Sequence, residues 1–598
     1  MPDNISTGAS GSKAIRGSAW GPAFDGGGTR FRLWAPGEKN VQLRLLGDHD
    51  MSRSQDGWFE AVLEHQPYGE PYGFVLSDGK VVADPASRQQ DSDVSGLSIV
   101  TDSNAYVWQN PNWMGRPWHE TVVYEIHVGT FTPEGTFRAA AAKLERLALL
   151  GITAVELLPV AHFPGERGWG YDGVLQFAPH NAYGTPDDFK MFIDSAHGLG
   201  LMVFLDVVYN HFGPEGNFLS EYAPQFFREG KETPWGAEIA FERKPVRRYF
   251  LENALYWLEE FRLDGLRFDA VNEIKDPSEP HILAEISTTV RNALPDRHVH
   301  LITENPPNGT DLLAQGLYVA DWNDSFHHVV HLISTGEDGG HFADFRQAPF
   351  EKLRRIMAEG YLDPGQPTVG NQLPPSASLP PTAFVHFLQN HDQVGNRALG
   401  DRLHTTIQEQ LYRALMSMLL LSPQIPLLFM GDCYKENRAF HYFADYNGEV
   451  ADIIRKRRPE EAEEFGGYPD GFSADDIADP HALTTFLQSK LDWSNAESEV
   501  GQEWSAWVEH LLAVRREEVV PHLASAEAYS GTILEAPDEC VFIDWRLGKI
   551  VLQLRANLSA NKVMLDKKPG RRIWPRIEGG ASDHLASMST EVFCLQKY

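Results

Sequence analysis

Four acidic segments occur in one order along the chain: Asp206-Val-Val-Tyr-Asn-His211, Gly265-Leu-Arg-Phe-Asp-Ala270, Thr303-Glu304-Asn305 and Asn390-His-Asp-Gln393. Each sits at the end of a short apolar run, and the runs are separated by stretches long enough for a helix. Side chains alternate faces along a strand, so Arg267 and Asp269 point one way while Leu266 and Phe268 point the other. With the two apolar residues packed on helices, the charged pair lies inside a barrel, where desolvated ions need partners. A buried ion pair at the barrel floor is the plain alternative. The catalytic face lies at the C-terminal strand ends, and there Asp269, Glu304 and Asp392 are expected to meet Arg267, His211 and His391.

Such a set suits the cleavage of a sugar acetal. One carboxylate must face the anomeric carbon and one carboxylic acid must protonate the leaving oxygen. Asp269, two residues from a guanidinium, suits the nucleophile, since a neighbouring cation favours a charged carboxylate. Glu304 has no basic residue beside it in sequence, so partial burial can keep its proton near working pH, as a general acid requires. Asp392 is left to hold sugar hydroxyls, with His211 and His391 donating to the same ring.

The elements that must carry these residues are legible in the patterning. Thr29-Arg-Phe-Arg-Leu-Trp34 and Val41-Gln-Leu-Arg-Leu45 alternate polar with apolar and predict half-buried strands. From Val122-Val-Tyr-Glu-Ile-His127 onward, apolar strands alternate with amphipathic helices, the pattern of a parallel closed barrel. Leu144, Leu147 and Ala148 share a helix face that Gly151 should stop with a left-handed cap. Leu251, Leu255 and Leu258 mark a second helix before the strand at Gly265. Leu362 to Pro381 reads as a long surface loop. Arg455-Lys-Arg-Arg-Pro-Glu-Glu-Ala-Glu-Glu464 reads as a solvated helical excursion, its basic half balanced by acids. Strand texture returns after about residue 525.

At 598 residues with a net charge of -31, the chain is too long for one core and too acidic for nucleic acid or anionic membranes as partners. No apolar run reaches membrane-spanning or signal-peptide length. The three cysteines, Cys433, Cys540 and Cys594, are too scattered for a disulfide framework or a metal cluster. A cytoplasmic protein without metal or cofactor is expected. His127 and His180 read as structural, and Asn210 alone does not specify calcium.

Taken together, the four segments resemble the signature regions of the α-amylase family of glycoside hydrolases and transglycosylases. The resemblance implies an α/β fold: a (β/α)8 barrel with an N-terminal β-sandwich and a C-terminal all-β domain. Its expected limits are a tail at 1–18, a carbohydrate-binding-module-like sandwich at 19–105, the barrel at 106–520 with an excursion near 445–500, and the β domain at 521–598. It also implies a retaining mechanism with Asp269 as nucleophile, Glu304 as acid/base and Asp392 as transition-state stabiliser. Asp206, His211, Arg267, His391 and Gln393 would bind substrate. Tyr171 resembles the aromatic platform beneath the cleaved sugar, and Trp235 a stacking residue farther along, since sugar C–H faces bury well on rings.

Finer matches are Tyr124-Glu-Ile-His-Val-Gly-Thr-Phe-Thr132, Gly168-Trp-Gly-Tyr-Asp-Gly173, Trp322-Asn-Asp324 with His327-His328, Gln389 to Arg397, and Ser489-Lys-Leu-Asp-Trp493. They are similar to the trehalose-releasing members of the family. The implied substrate is maltooligosyltrehalose, cut at the α-1,4 bond next to its terminal trehalose to give trehalose and a maltooligosaccharide. Those members commonly carry a further Asp and a Glu-Glu pair where this chain has Ser325 and Asp432-Cys433. Glucan branching is a second expectation, disfavoured by the Ser489–Trp493 segment. A non-catalytic glucan-binding protein is a third, disfavoured because all three acids are present.

Overall fold

The computed structural model describes residues 18–25, 27–362, 374–565, 570–576 and 583–596. Residues 1–17 of the tail expected at 1–18, and most of the loop expected at 362–381, lie outside the described residues; Ser18 itself is buried and bonded to Glu252. What is described of that loop, from residue 374, carries two short helical turns, Pro375–Ser378 and Pro381–Ala383.

Eight parallel strands close into a barrel: Val123–Ile126, Ala154–Leu157, Met202–Val207, Gly265–Phe268, His300–Thr303, Ala320–Trp322, Phe384–Phe387 and Ile425–Phe429. The two faces of the strands sort as the alternation requires. Leu266 and Phe268 join the core outside the barrel, whereas Phe204, Ile302, Ala320, Trp322, Val385 and Phe387 fill its interior. Acids and a guanidinium enter the interior at its upper end, through Glu125, Glu156, Asp206 and Arg267, all buried.

Gly151 ends the helix Leu144–Leu150 in the left-handed region, its amide and the next returning to Ala148 and Leu147. The helix Lys244–Glu259 forms where Leu251, Leu255 and Leu258 mark it, and of the three Leu258 is fully buried. Leu251 and Leu255 are half-buried, and Val246, Tyr249, Phe250 and Trp257 lie inside.

Two antiparallel sheets precede the barrel. Phe31 of Gly28–Trp34 meets Tyr72 of Pro71–Val75 at 5.0 Å between ring centroids, joining the sheets through a shared core. Glu252, on the helix after the third barrel strand, ties this region down by accepting from Ser18 Oγ and from the amides of Ala19 and Trp20. A five-stranded antiparallel sheet, built from Ala526–Ile533, Cys540–Leu547, Ile550–Asn557, Ser589–Gln596 and Arg571–Trp574, closes the chain.

Between the eighth strand and the helix Glu499–Val514 lies the helical excursion, Gly448–Glu464, Leu483–Gln488 and Trp493–Glu497. The Ser489–Trp493 segment staples it to the barrel. Lys490 Nζ donates to the carbonyls of Gly129 (2.9 Å) and Pro133 (2.8 Å), and Trp493 Nε1 donates to that of Phe131 (2.7 Å). Among the described residues no helix is long and apolar enough to cross a membrane. All three cysteines are free and buried.

Candidate active site

The fourth strand puts Arg267 at the hub of the upper rim. Nη1 donates to Asp206 Oδ2 at 2.5 Å and to Asp269 Oδ1 at 2.8 Å, while Nη2 lies 3.2 Å from Glu304 Oε2. The same guanidinium lies 4.2 Å from the centre of the Trp322 ring. A planar fork with five donors can serve several acceptors at once, so one cation gathers carboxyls from three neighbouring strands. This is an ion-pair network at the mouth of the barrel, and Asp269 and Glu304 keep 15% and 14% of their side chains exposed.

Directly after Asp269, Ala270 adopts φ 38°, a left-handed conformation that costs a residue with a Cβ. The turn aims the Ala270 amide at Glu304 Oε2, 2.7 Å away, and the Val271 amide at the Glu304 carbonyl, 3.0 Å away. The strained residue thereby fixes the end of the fourth strand against the end of the fifth. Asp269 Oδ2 also accepts from Asn210 Nδ2 at 2.9 Å. Asn210 contacts His211 Nδ1, and His211 Nε2 lies 3.1 Å from the Tyr171 carbonyl.

Tyr171 donates its hydroxyl to Asp206 at 2.6 Å and stacks its ring on His391, with centroids 5.1 Å apart. Trp235, in the turn between Phe227–Thr233 and Gly236–Ile239, is 45% exposed and stacks on His211 at 5.3 Å. Asp392 comes from the segment after the seventh strand. Asn390 caps the short helix His391–Gly395 there, and Gln393 completes the capping box. Gln393 is buried, and its amide also donates to Asp324 Oδ1 at 3.3 Å. It shapes the rim through those two contacts.

Burial, reinforced by the charges of Asp269, Asp324 and Asp392, raises Glu304 well above the usual carboxyl range against the opposition of Arg267. Glu304 has no basic residue beside it along the chain, and in space Arg267 reaches it as expected. Desolvation is what lets this carboxyl hold a proton. Asp206 is pushed to about 6 by burial, and Asp324 to about 7 by burial and then by Asp392.

His127 and His180 are structural. His127 places Nδ1 2.9 Å from Thr130 Oγ1 and Nε2 2.9 Å from the Gly168 carbonyl; His180 accepts from the Ala182 amide at 3.0 Å. Glu125, Glu156 and Asp324 went without a role in the sequence reading. The signal for the first two was a lone acid in an otherwise apolar strand, and the two stand opposite each other in register. The unusual Asp432 is absorbed locally, accepting from Gln389 Nε2 (2.6 Å) and the Phe429 amide (3.0 Å), and Ser325 meets Asn308 at 3.4 Å. Among the described residues no group of three or more His, Cys, Asp or Glu could hold a metal ion.

A proton-holding carboxyl and a donor-bound carboxylate on one guanidinium, with a third acid on the same rim, are the parts that double displacement at an acetal requires. On a closed eight-stranded parallel barrel they define the class: a glycoside hydrolase. Residues 86–236 match the α-amylase catalytic domain. The malto-oligosyltrehalose trehalohydrolase of Deinococcus radiodurans is 41% identical over 507 residues, covering 84% of this chain and 83% of its own. A solved structure of a Salmonella typhimurium protein assigned as an alpha amylase superposes with a TM-score of 0.91 at 47% identity, covering 97% of this chain and 100% of that one. A 1,4-alpha-glucan branching enzyme of Streptomyces avermitilis matches 41% of this chain, at 39% identity. The chain belongs to the malto-oligosyltrehalose trehalohydrolases of the α-amylase family.

Proposed function

We propose that the protein hydrolyses the α-1,4-glucosidic bond next to the terminal trehalose of maltooligosyltrehalose, releasing trehalose and a maltooligosaccharide. The observation that carries the catalytic assignment is the sharing of Arg267 by Asp269 and Glu304, which supports their acting together as nucleophile and acid. The similarity to trehalohydrolases over most of the chain supports the substrate. In the first step the Asp269 carboxylate bonds to the anomeric carbon of the glucan while Glu304 gives its proton to the departing oxygen. The bond joins glucan C1 to a trehalose hydroxyl oxygen, so trehalose leaves. In the second step Glu304 takes a proton from water, the hydroxide displaces Asp269, and the maltooligosaccharide is freed with its configuration retained.

Asp392 holds sugar hydroxyls in hydrogen bonds that tighten as charge develops, and His391 donates to the same ring, while His211, with both ring nitrogens engaged by Asn210 and the Tyr171 carbonyl, steadies Asn210 against Asp269. Tyr171 forms the floor, and Trp235, stacked on His211 on one side and half exposed, stacks on the leaving trehalose. Arg267, Asp206 and Gln393 keep these groups in place. Incubation with maltooligosyltrehalose and, separately, amylose tests the reading. Trehalose from the first and no new α-1,6 branches in the second are expected. Asp269→Asn should abolish trehalose release, and an unchanged rate would remove Asp269 from the mechanism.

A further inference from the structure

The excursion helix Gly448–Glu464 buries three residues, Ala451, Arg458 and Ala462. Two of them are small. The third is an arginine, 4% exposed, whose neighbours Arg455, Lys456 and Arg457 all face solvent. A desolvated guanidinium must find acceptors. Arg458 Nη1 donates to Asn396 Oδ1 at 3.0 Å and to Glu461 at 2.7 Å, and Nη2 donates to the Gly395 carbonyl at 3.1 Å. Its plane also packs on Tyr442, 5.0 Å from the ring centre. Gly395 closes the short helix that opens with His391 and Asp392. Asn396 follows it, and its Nδ2 donates to Asp392 Oδ1 at 3.2 Å.

The direction of that amide is forced. Arginine can only donate and a carboxylate can only accept, so Asn396 turns its oxygen to Arg458 and its nitrogen to Asp392. We propose that Arg458 is a positioning residue for the reaction: it locks Asn396, and Asn396 sets the rotamer of Asp392. The excursion helix is then part of the active site. The inference rests on the reading of Asp392 as the transition-state carboxylate. Asp392 has 37% of its side chain exposed, more than Asp269 or Glu304, and His391 Nε2 stands farther off at 3.5 Å. The Asn396 contact is the restraint that a rim carboxylate needs before substrate arrives.

Arg458→Met keeps the apolar stem over Tyr442 and removes the donors. Misplacing a transition-state contact from outside the site costs roughly 10²-fold, so kcat should fall by that order. KM should stay within about threefold, because the lost interaction belongs to the transition state. The thermal midpoint should fall by only a few degrees, about the cost of leaving the Gly395 carbonyl and Asn396 oxygen unpaired, and Arg458→Lys should restore part of kcat. Asn396→Ala should lose as much, and the double variant should be no worse than Asn396→Ala alone, because the two residues act in series.

Asp392→Asn, assayed in parallel on maltooligosyltrehalose, keeps the two readings apart. Full activity there would end the assignment of Asp392. An inactive Asp392→Asn beside an Arg458→Met enzyme of parental rate would end the relay. Additive losses in the double variant would also overturn it, as would a fall in kcat that tracks the thermal midpoint and is not rescued by lysine. Should Arg458→Met fail to fold, Asn396→Ala decides alone, and a parental kcat there overturns the proposal.

Discussion

Glu125 and His391 are 266 residues apart in sequence, yet Glu125 accepts from both His391 Nδ1 (2.7 Å) and the His391 amide (3.1 Å). Burial alone would strip the proton from this imidazole, but Asp392 and Glu125 outweigh it and lift His391 from 6.5 to about 9. A rise of that size is worth about 3 kcal/mol in favour of the imidazolium. Because the folded-state value is the higher one, this contribution is fully present below pH 6.5 and is lost as pH rises through about 9. Glu125→Gln keeps the shape and removes the charge. With Asp392 left as the main opponent of burial, His391 should titrate ~1–3 units lower. The alkaline limb of kcat/KM should therefore move toward acid by about one unit or more. Stability should also fall less between pH 6.5 and 9, because the variant has already lost most of that contribution. Rate profiles and urea unfolding across this range measure both. A folded Glu125→Gln enzyme with the parental alkaline limb and the parental pH dependence of stability would refute the reasoning.

Glu304→Gln should lower kcat on maltooligosyltrehalose by roughly 10²–10⁴-fold, yet still release fluoride from α-maltosyl fluoride, whose leaving group needs no proton; equal losses on both substrates would argue against an acid role. Arg267→Lys replaces a fork that serves three carboxyls with a single ammonium, and breaking a buried network of this kind costs about 3–5 kcal/mol. Chemical denaturation should show that loss, and a variant of parental stability would mean that water replaces the fork. Trp235→Ala removes an exposed ring, so the thermal midpoint should hold while KM rises roughly fivefold, about 1 kcal/mol of lost stacking. A fall in kcat with KM unchanged would place the ring's effect elsewhere.

Much of the site could be read from the chain because side-chain direction in a strand is a local property. The period of two sends Arg267 and Asp269 to one face, and the apolar run ahead of each acid marks its strand end. Left-handed termination at Gly151 was equally local, since only the residue type and its position after the helix mattered. Leucine spacing marked the helix Lys244–Glu259, whereas the burial of Tyr249, Phe250 and Trp257 beside Leu258 became visible only once the helix docked. That Arg267 reaches Glu304 depends on how the fourth and fifth strands are staggered and on the turn at Ala270. The pairing of Glu125 with His391 requires the barrel to close, which makes the first strand and the segment after the seventh neighbours. Arg458 looked like one cation among four in a solvated run, and only the docking of the excursion onto Asn396 gives it a partner. Sequence determined which groups could do the chemistry, through alternation and strand ends. Tertiary structure decided which protons and charges they hold, because burial and cross-strand contacts exist only once the barrel is closed.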